Sequence, residues 1–135
     1  MGLAYLTRWE GPVLQIDDPY TGDFEDRTEV SNSRDSALHI QGFQNVSTSY
    51  NSVKKAIMEY GSAVSNIHVS DNFSGKVNSS AYNPKTYGYY SHDNANAYNH
   101  AVLIIGWDNN FPASNFLNEP PINGAWIVKN SWAIL

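Results

Sequence analysis

The amino-acid sequence lacks cysteine altogether, although it is 135 residues long. Without cysteine the chain contains no disulfide bond, no zinc site built from thiolates and no thiol nucleophile of its own. A reaction that depends on a thiol is therefore excluded for the chain by itself. Cysteine usage also gives no indication of the redox compartment.

Basic residues and long apolar runs are scarce as well. Eight Lys and Arg residues stand against thirteen Asp and Glu residues, which gives a net charge of −5, and the basic residues form no run. No apolar stretch approaches the ~18 residues that span a membrane, and the N-terminus lacks the basic-then-apolar order of a signal peptide. These absences argue against nucleic acid and anionic membranes as partners and predict no membrane span.

The residues that are present suit one folded domain over residues 1–135. Apolar residues make up 41% of the chain, which argues against global disorder. A domain near 150 residues buries roughly 68% of the surface that its unfolded chain exposes, so a chain of this length can form a hydrophobic core.

Periodicity predicts one clear helix near residues 50–61. Asn51 or Ser52 is placed to cap its start, because a short side-chain oxygen accepts an orphan backbone N–H. Gly61 suits the left-handed position just past its end. The apolar stripe of this helix follows the i, i+3, i+4, i+7 spacing and consists of Val53, Ala56, Ile57 and Tyr60.

Several stretches have the composition of β-strands. The run at 100–107 is apolar at nearly every position, which predicts a central strand buried on both faces. With one helix and non-local strands, the fold class is α+β with an antiparallel sheet. The predicted strands are 37–46, 63–70, a short one around 86–90, 100–107 and 124–132.

The segment 17–36 is polar and rich in turn formers, and we predict a surface loop there. Its acidic residues have the ligand chemistry of calcium, but their spacing lacks the order of an EF-hand loop, so a solvated loop is favoured. The acidic cluster at its start consists of Asp17, Asp18, Asp23, Glu25 and Asp26.

The last two strands bring a histidine and an asparagine together. If 100–106 and 124–130 pair as antiparallel strands, with paired residue numbers that sum to about 230, His100 lies beside Asn130. A slip of register would break this pairing. An asparagine oxygen can accept one imidazole N–H, fix the tautomer and leave the other nitrogen for a nucleophile. A neutral amide suits an imidazolium paired with a thiolate, and Trp132 is placed to shield the bond from water.

These residues resemble a known family. The segments "NHAVLIIGW" (99–107) and "GAWIVKNSW" (124–132) resemble the histidine and asparagine motifs of papain-like cysteine peptidases of bacterial type. The segments "AIMEYGSAVSNIHV" (56–69) and "AYLTRWEGPVLQIDDPY" (4–20) are similar to the family's helix and following strand and to the chain past its nucleophile-bearing half.

The resemblance implies roles for particular residues. His100 matches the catalytic histidine, Asn130 the asparagine that orients it and Trp132 the tryptophan that shields both. It further implies a cysteine-type endopeptidase that acts on a peptide or protein substrate without a cofactor, in a parent that is secreted or exposed at the cell surface. By the same resemblance Asn99, Ala101 and Ile67 contact substrate, although Ile67 has an alternative place in the core of the sheet.

The chain also departs from the family pattern. It lacks the Cys-Trp helix and the upstream glutamine, and Ala133 stands where the family has glycine after Asn-Ser-Trp. We therefore expect a partial domain, mainly the β-rich right-hand part of the papain-like fold, that is inactive until the missing N-terminal half supplies the thiol. Its unpaired strand edges favour self-association.

Two alternatives remain open at this point. The chain has the features of a non-catalytic homologue that serves as a peptide- or glycan-binding module. A metal pair of His92 and His100 is disfavoured, because no acids or thiols stand at ligand spacing around it.

Overall fold

The fold was analysed in a computed structural model, which describes residues 6, 8–9, 11–19, 35–69, 81–91 and 98–131. Contacts within the chain separate two compact units, Met1–Asn45 and Val46–Leu135. Residues 20–34 of the loop predicted at 17–36, with three of the five residues of its acidic cluster, lie outside the described residues, as do His92 and Trp132.

The first unit is held by hydrogen bonds between two distant segments. The N–H of Gly11 donates to Ser36 Oγ at 2.8 Å, and the N–H of Ala37 donates to the carbonyl of Pro12 at 2.8 Å. A Cβ atom at Gly11 would lie 1.7 Å from the Leu38 carbonyl oxygen, so this approach requires glycine. The predicted strand at 37–46 is wrong, because these residues adopt no regular structure and Leu38 is 52% exposed.

Helix α1 (Tyr50–Tyr60) opens the second unit. Ser49 is extended and its side chain accepts the N–H of Ser52 at 3.3 Å, so Ser49 is the cap, and the predicted caps two and three positions later are wrong. At the other end Gly61 has φ +83° and donates its N–H to the carbonyl of Ile57, as predicted. Ala56 and Ile57 are buried, whereas Tyr60 of the predicted stripe is 60% exposed.

An antiparallel sheet follows, which confirms the α+β fold class. Its order is β1 (Ala63–Ile67), β4 (His100–Asp108), β5 (Ala125–Lys129), so β4 is central. A separate hairpin pairs β2 (Tyr82–Asn83) with β3 (Gly88–Tyr89). The short strand predicted near 86–90 is thus present as β3, and its partner β2 was not predicted.

The register of β4 and β5 differs from the prediction. Paired residue numbers sum to 232 at Leu103–Lys129 and to 233 at Gly106–Ile127, not to 230. Gly124 has φ +119° and turns the chain, so β5 begins one residue later than the apolar run. The shift between Ile104 and Gly106 is a bulge at Ile105, which places an extra residue in β4.

The core of this unit lies on one side of the sheet. Val102 and Ile104 of β4 are buried together with Ala56 and Ile57 of α1, which contacts β4 and β1. On the other side of β4, Ile105 is 45% exposed. The expectation that β4 is buried on both faces is therefore wrong for the described residues, because α1 covers only one face.

Candidate active site

His100 and Asn130 meet at one end of the sheet. His100 opens β4 opposite Ile67 of β1, and Asn130 directly follows β5. His100 Nε2 lies 2.8 Å from Asn130 Oδ1. Continuing the observed register places Asn130 opposite Val102, so His100 and Asn130 are diagonal neighbours on the same face. The predicted contact between His100 and Asn130 is present although the predicted strand register is wrong. The two side chains contact each other as diagonal rather than directly opposite neighbours.

The surroundings of Asn130 determine the direction of this hydrogen bond. Asn130 Oδ1 also lies 2.8 Å from the backbone nitrogen of Ser131. A backbone N–H only donates, so the atom that it meets must be the amide oxygen, and an amide oxygen only accepts. His100 Nε2 therefore donates its proton to Asn130, and in the neutral ring Nδ1 is the nitrogen without a proton. The sequence carried no sign that the Ser131 backbone takes part.

Asn99, which we expected to contact substrate, binds the backbone of the chain beyond β1. Its Oδ1 accepts the N–H of Val69 and its Nδ2 donates to the carbonyl of Val69, each at 2.8 Å. Both polar atoms of this side chain therefore have partners within the chain. Sequence reasoning missed the contact with Val69. A run of β-forming residues gives no sign that the backbone of one of them binds the side chain of a distant asparagine.

A surface depression lies beside Asn130. Three strands or their ends contribute to it, and Val64 in its lining is 78% exposed. Of the predicted substrate contacts, Ala101 lines this depression, whereas Ile67 and Asn99 are not among the described residues that line it. The lining residues are Val64, Ala101, Val102, Leu103, Lys129, Asn130 and Ser131.

Within the described part of the chain, no three His, Asp or Glu side chains group in a way that could hold a metal ion. Among the same residues no helix has the length and apolarity needed to cross a bilayer. The position of Trp132 relative to the His100–Asn130 pair stays a prediction, since that residue is outside the described part.

The sequence profile of the papain family cysteine proteases matches residues 2–134, which is nearly the whole chain. The chain belongs to the papain family of cysteine proteases. Its papain-like fold is shared by the clostridial cysteine protease Cwp84 after propeptide cleavage, with a TM-score of 0.76 and 32% identity over 95% of this chain. A second structure contains the cysteine protease and lectin-like domains of Cwp84, a surface layer associated protein of Clostridium difficile, with a TM-score of 0.72 and 33% identity over 96% of this chain.

This papain-family chain spans 31% and 28% of the length of those two structures. No curated protein matches it significantly. The family and the fold are thus established, and the activity and partners of a whole protein are matters for proposal.

Proposed function

We propose that this chain supplies the base and its orienting amide to a peptidase with a Cys-His-Asn mechanism, whose thiol comes from polypeptide outside this sequence. The observation that carries the proposal is the 2.8 Å contact between His100 Nε2 and Asn130 Oδ1. Because Nε2 holds its proton against the amide oxygen, Nδ1 of the neutral ring is the atom suited to take a proton from a thiol.

The reaction then follows the chemistry of the pair. Nδ1 of His100 accepts the thiol proton, and the thiolate attacks the carbonyl carbon of the scissile peptide bond. The imidazolium returns that proton to the leaving amine as the carbon–nitrogen bond breaks, which leaves a thioester. His100 next takes a proton from water, and the resulting hydroxide attacks the thioester carbonyl. The carbon–sulfur bond breaks, the acid product leaves, and the imidazolium returns its proton to the sulfur, which restores the thiol. Throughout, Asn130 orients the ring without adding a charge that would compete with the sulfur anion.

The substrate would be a peptide or protein chain lying over the depression beside Asn130. Ala101 and Val64 line this depression, which reaches Asn130, the proposed partner of the base. Ala101 is our first candidate for a substrate contact. Ile67, which is half-buried opposite His100 in the sheet, stays a weaker one. We propose that Trp132 shields the His100–Asn130 bond from water.

In this proposal residues 1–135 form a partial catalytic domain that becomes active when the thiol-bearing half is added. By itself the chain would not hydrolyse peptides, because it contains no cysteine. Within the described residues β1 and β5 are the outer strands of the sheet, and their edges would allow self-association of the chain alone. The surface-layer association stated for Cwp84 supports a cell-surface or secreted parent.

The proposal is tested by combining the chain with the polypeptide that carries the thiol and measuring peptide hydrolysis. Replacing His100→Ala should lower kcat by roughly 10²–10⁴-fold, the range that general acid–base catalysis contributes. His39→Ala is the matched control, since His39 stacks on Trp9 in the first unit and should leave kcat unchanged.

Activity that survives His100→Ala would contradict the proposed role of the base. An assembly that binds the peptide tightly but never cleaves it would support the alternative, a non-catalytic module that binds peptide or glycan. The absence of cysteine from the chain is the observation that favours this alternative.

A further inference from the structure

The connection between β4 and β5 contains the one Asn-Gly pair of the sequence, Asn123 and Gly124. Asn123 Oδ1 accepts the N–H of Ala113 at 3.0 Å, and the N–H of Gly124 donates to the carbonyl of Phe111 at 2.8 Å. Gly124 has φ +119°, so the turn into β5 favours glycine there. Two hydrogen bonds therefore hold the Asn-Gly pair against an earlier part of the same connection, directly before β5.

An asparagine followed by glycine reacts with its own backbone, and glycine has no side chain to hinder the attack. The nitrogen of Gly124 loses its proton and attacks Cγ of Asn123. A carbon–nitrogen bond forms, the bond from Cγ to Nδ2 breaks, and ammonia leaves with that proton. Water then opens the cyclic succinimide. Addition at Cγ leaves aspartate, whereas addition at the backbone carbonyl carbon leaves isoaspartate, in which the chain runs through the side chain.

We propose that Asn123 is a self-modification site that the folded connection keeps closed, and that its isoaspartate product displaces β5 and breaks the His100–Asn130 contact. The two hydrogen bonds occupy both reacting groups. The proton that Gly124 must lose points at a backbone carbonyl, which is not a base, and the amide of Asn123 is fixed on a backbone N–H. The reaction therefore needs a local opening of the connection first.

Isoaspartate changes the path of the chain into β5. Its backbone is longer by one methylene group, and its carboxylate is attached at a different carbon, so the acceptor for Ala113 also moves. β5 begins two residues later at Ala125 and ends at Lys129, directly before Asn130. The oxygen of Asn130 lies 2.8 Å from His100 Nε2. A hydrogen bond depends on distance and angle, so a displaced β5 loses this contact.

Aspartate at the same position is the matched control for charge. Asn123→Asp keeps the ordinary backbone and has a carboxylate oxygen in place of Oδ1, so it still accepts the N–H of Ala113. It carries the same negative charge as isoaspartate without the additional length. A difference between the two forms therefore reports the length of the backbone.

The first experiment tests whether the fold closes the site. The folded chain and the chain unfolded in urea are incubated at the same mildly alkaline pH, and peptide mapping with mass spectrometry follows the conversion of Asn123. The folded chain should react roughly tenfold more slowly or less, because two hydrogen bonds must break first. Rates within about twofold of each other would overturn the inference.

A variant that loosens the connection gives a second test of the same step. The ring of Phe116 packs edge-on against Phe111, with 5.2 Å between the centroids. Phe116→Ala should raise the reaction rate of the folded chain by roughly fivefold or more, since local opening becomes easier. Phe43→Ala is the control, because Phe43 is exposed in the first unit and should leave the rate unchanged. An equal rate in the two folded variants would count against the closed site.

The last experiment measures how fast the Nε2 proton of His100 exchanges with water, from its downfield NMR signal. The isoaspartate form, made in the unfolded chain and refolded, should exchange roughly tenfold faster than Asn123→Asp, the effect of losing one hydrogen bond. Equal exchange in the two forms, fast or slow, would show that backbone length does not control the contact and would refute the displacement. Neither a thiol nor a substrate is needed, so the outcome is separate from that of the proposed function.

Discussion

The two ends of the β4–β5 pair are built from different chemistry. At one end His100 and Asn130 make a polar contact of 2.8 Å. At the other end Trp107 and Trp126 are directly paired across the strands, and Tyr50 of α1 stacks on Trp126 with ring centroids 6.0 Å apart. The aromatic end joins helix to sheet, whereas the polar end joins the ends of two strands through a hydrogen bond between side chains.

The two ends suit different roles, one in the stability of the fold and the other in the geometry of the candidate site. Aromatic side chains bury large areas and tolerate small displacements, so they suit an anchor. A hydrogen bond depends on distance and angle, so the polar end serves chemistry only if another element keeps the strands aligned. The bulge at Ile105 lies between the ends and lets each adopt its own register. We therefore expect the aromatic end to hold the two strands in the alignment that the polar contact needs.

The largest effect on stability is expected from Trp107→Ala. Removing a half-buried indole that pairs with Trp126 should lower the free energy of unfolding by about 2–3 kcal/mol, somewhat less than for a fully buried tryptophan. Denaturant unfolding followed by circular dichroism measures the change. His100→Ala, at the polar end of the same strand, should cost less than about 1 kcal/mol. Equal losses would show that the two ends share the anchoring role.

Asn130→Ala should affect catalysis strongly and stability little, in contrast to Trp107→Ala. In an assembly with the thiol-bearing half, kcat should fall roughly ten- to a hundredfold because the imidazole loses its fixed orientation. The unfolding free energy should change by only about 1 kcal/mol, the net value of one partly exposed hydrogen bond. A large loss of stability with kcat preserved would refute the division of roles between the ends.

The smallest effect is expected at Lys54, which lies over the aromatic end. Its Nζ is 5.2 Å from the centroid of the Trp107 ring and 2.7 Å from Asn109 Oδ1. Lys54→Met keeps most of the apolar stem and should lower the unfolding free energy by about 0.5–1 kcal/mol. Lys55→Met is the control, since that side chain is exposed, and the prediction fails if both variants change stability equally.

Much of the candidate site was predictable because it depends on local patterns. The apolar run of β4 and the alternation of β1 determine strands wherever they find partners, and Gly61 ends α1 since only glycine adopts its φ of +83° easily. The antiparallel pairing of β4 with β5 was predicted from the equal lengths of the two β-forming runs 100–106 and 124–130. The His100–Asn130 contact followed from that pairing and from the family motifs.

Other features were not predictable because they depend on groups far apart in the chain. The strand expected at 37–46 does not form, since within the described residues no strand pairs with this segment. The role of Asn99 depends on Val69 being within 2.8 Å of it, across a long connection. The identity of residue 99 does not by itself distinguish a side chain that hydrogen-bonds to the backbone from one that contacts substrate.

The sequence by itself determined the chemistry that this chain can offer: a histidine and an asparagine at the ends of two β-strands, and no thiol. That information is local, since it consists of residue types and their spacing. The tertiary structure alone decided the register, the bulge at Ile105 and the direction of the hydrogen bond from His100. These depend on how strands align and on which backbone N–H meets Asn130, and such alignment is set by the packing of the whole sheet against α1.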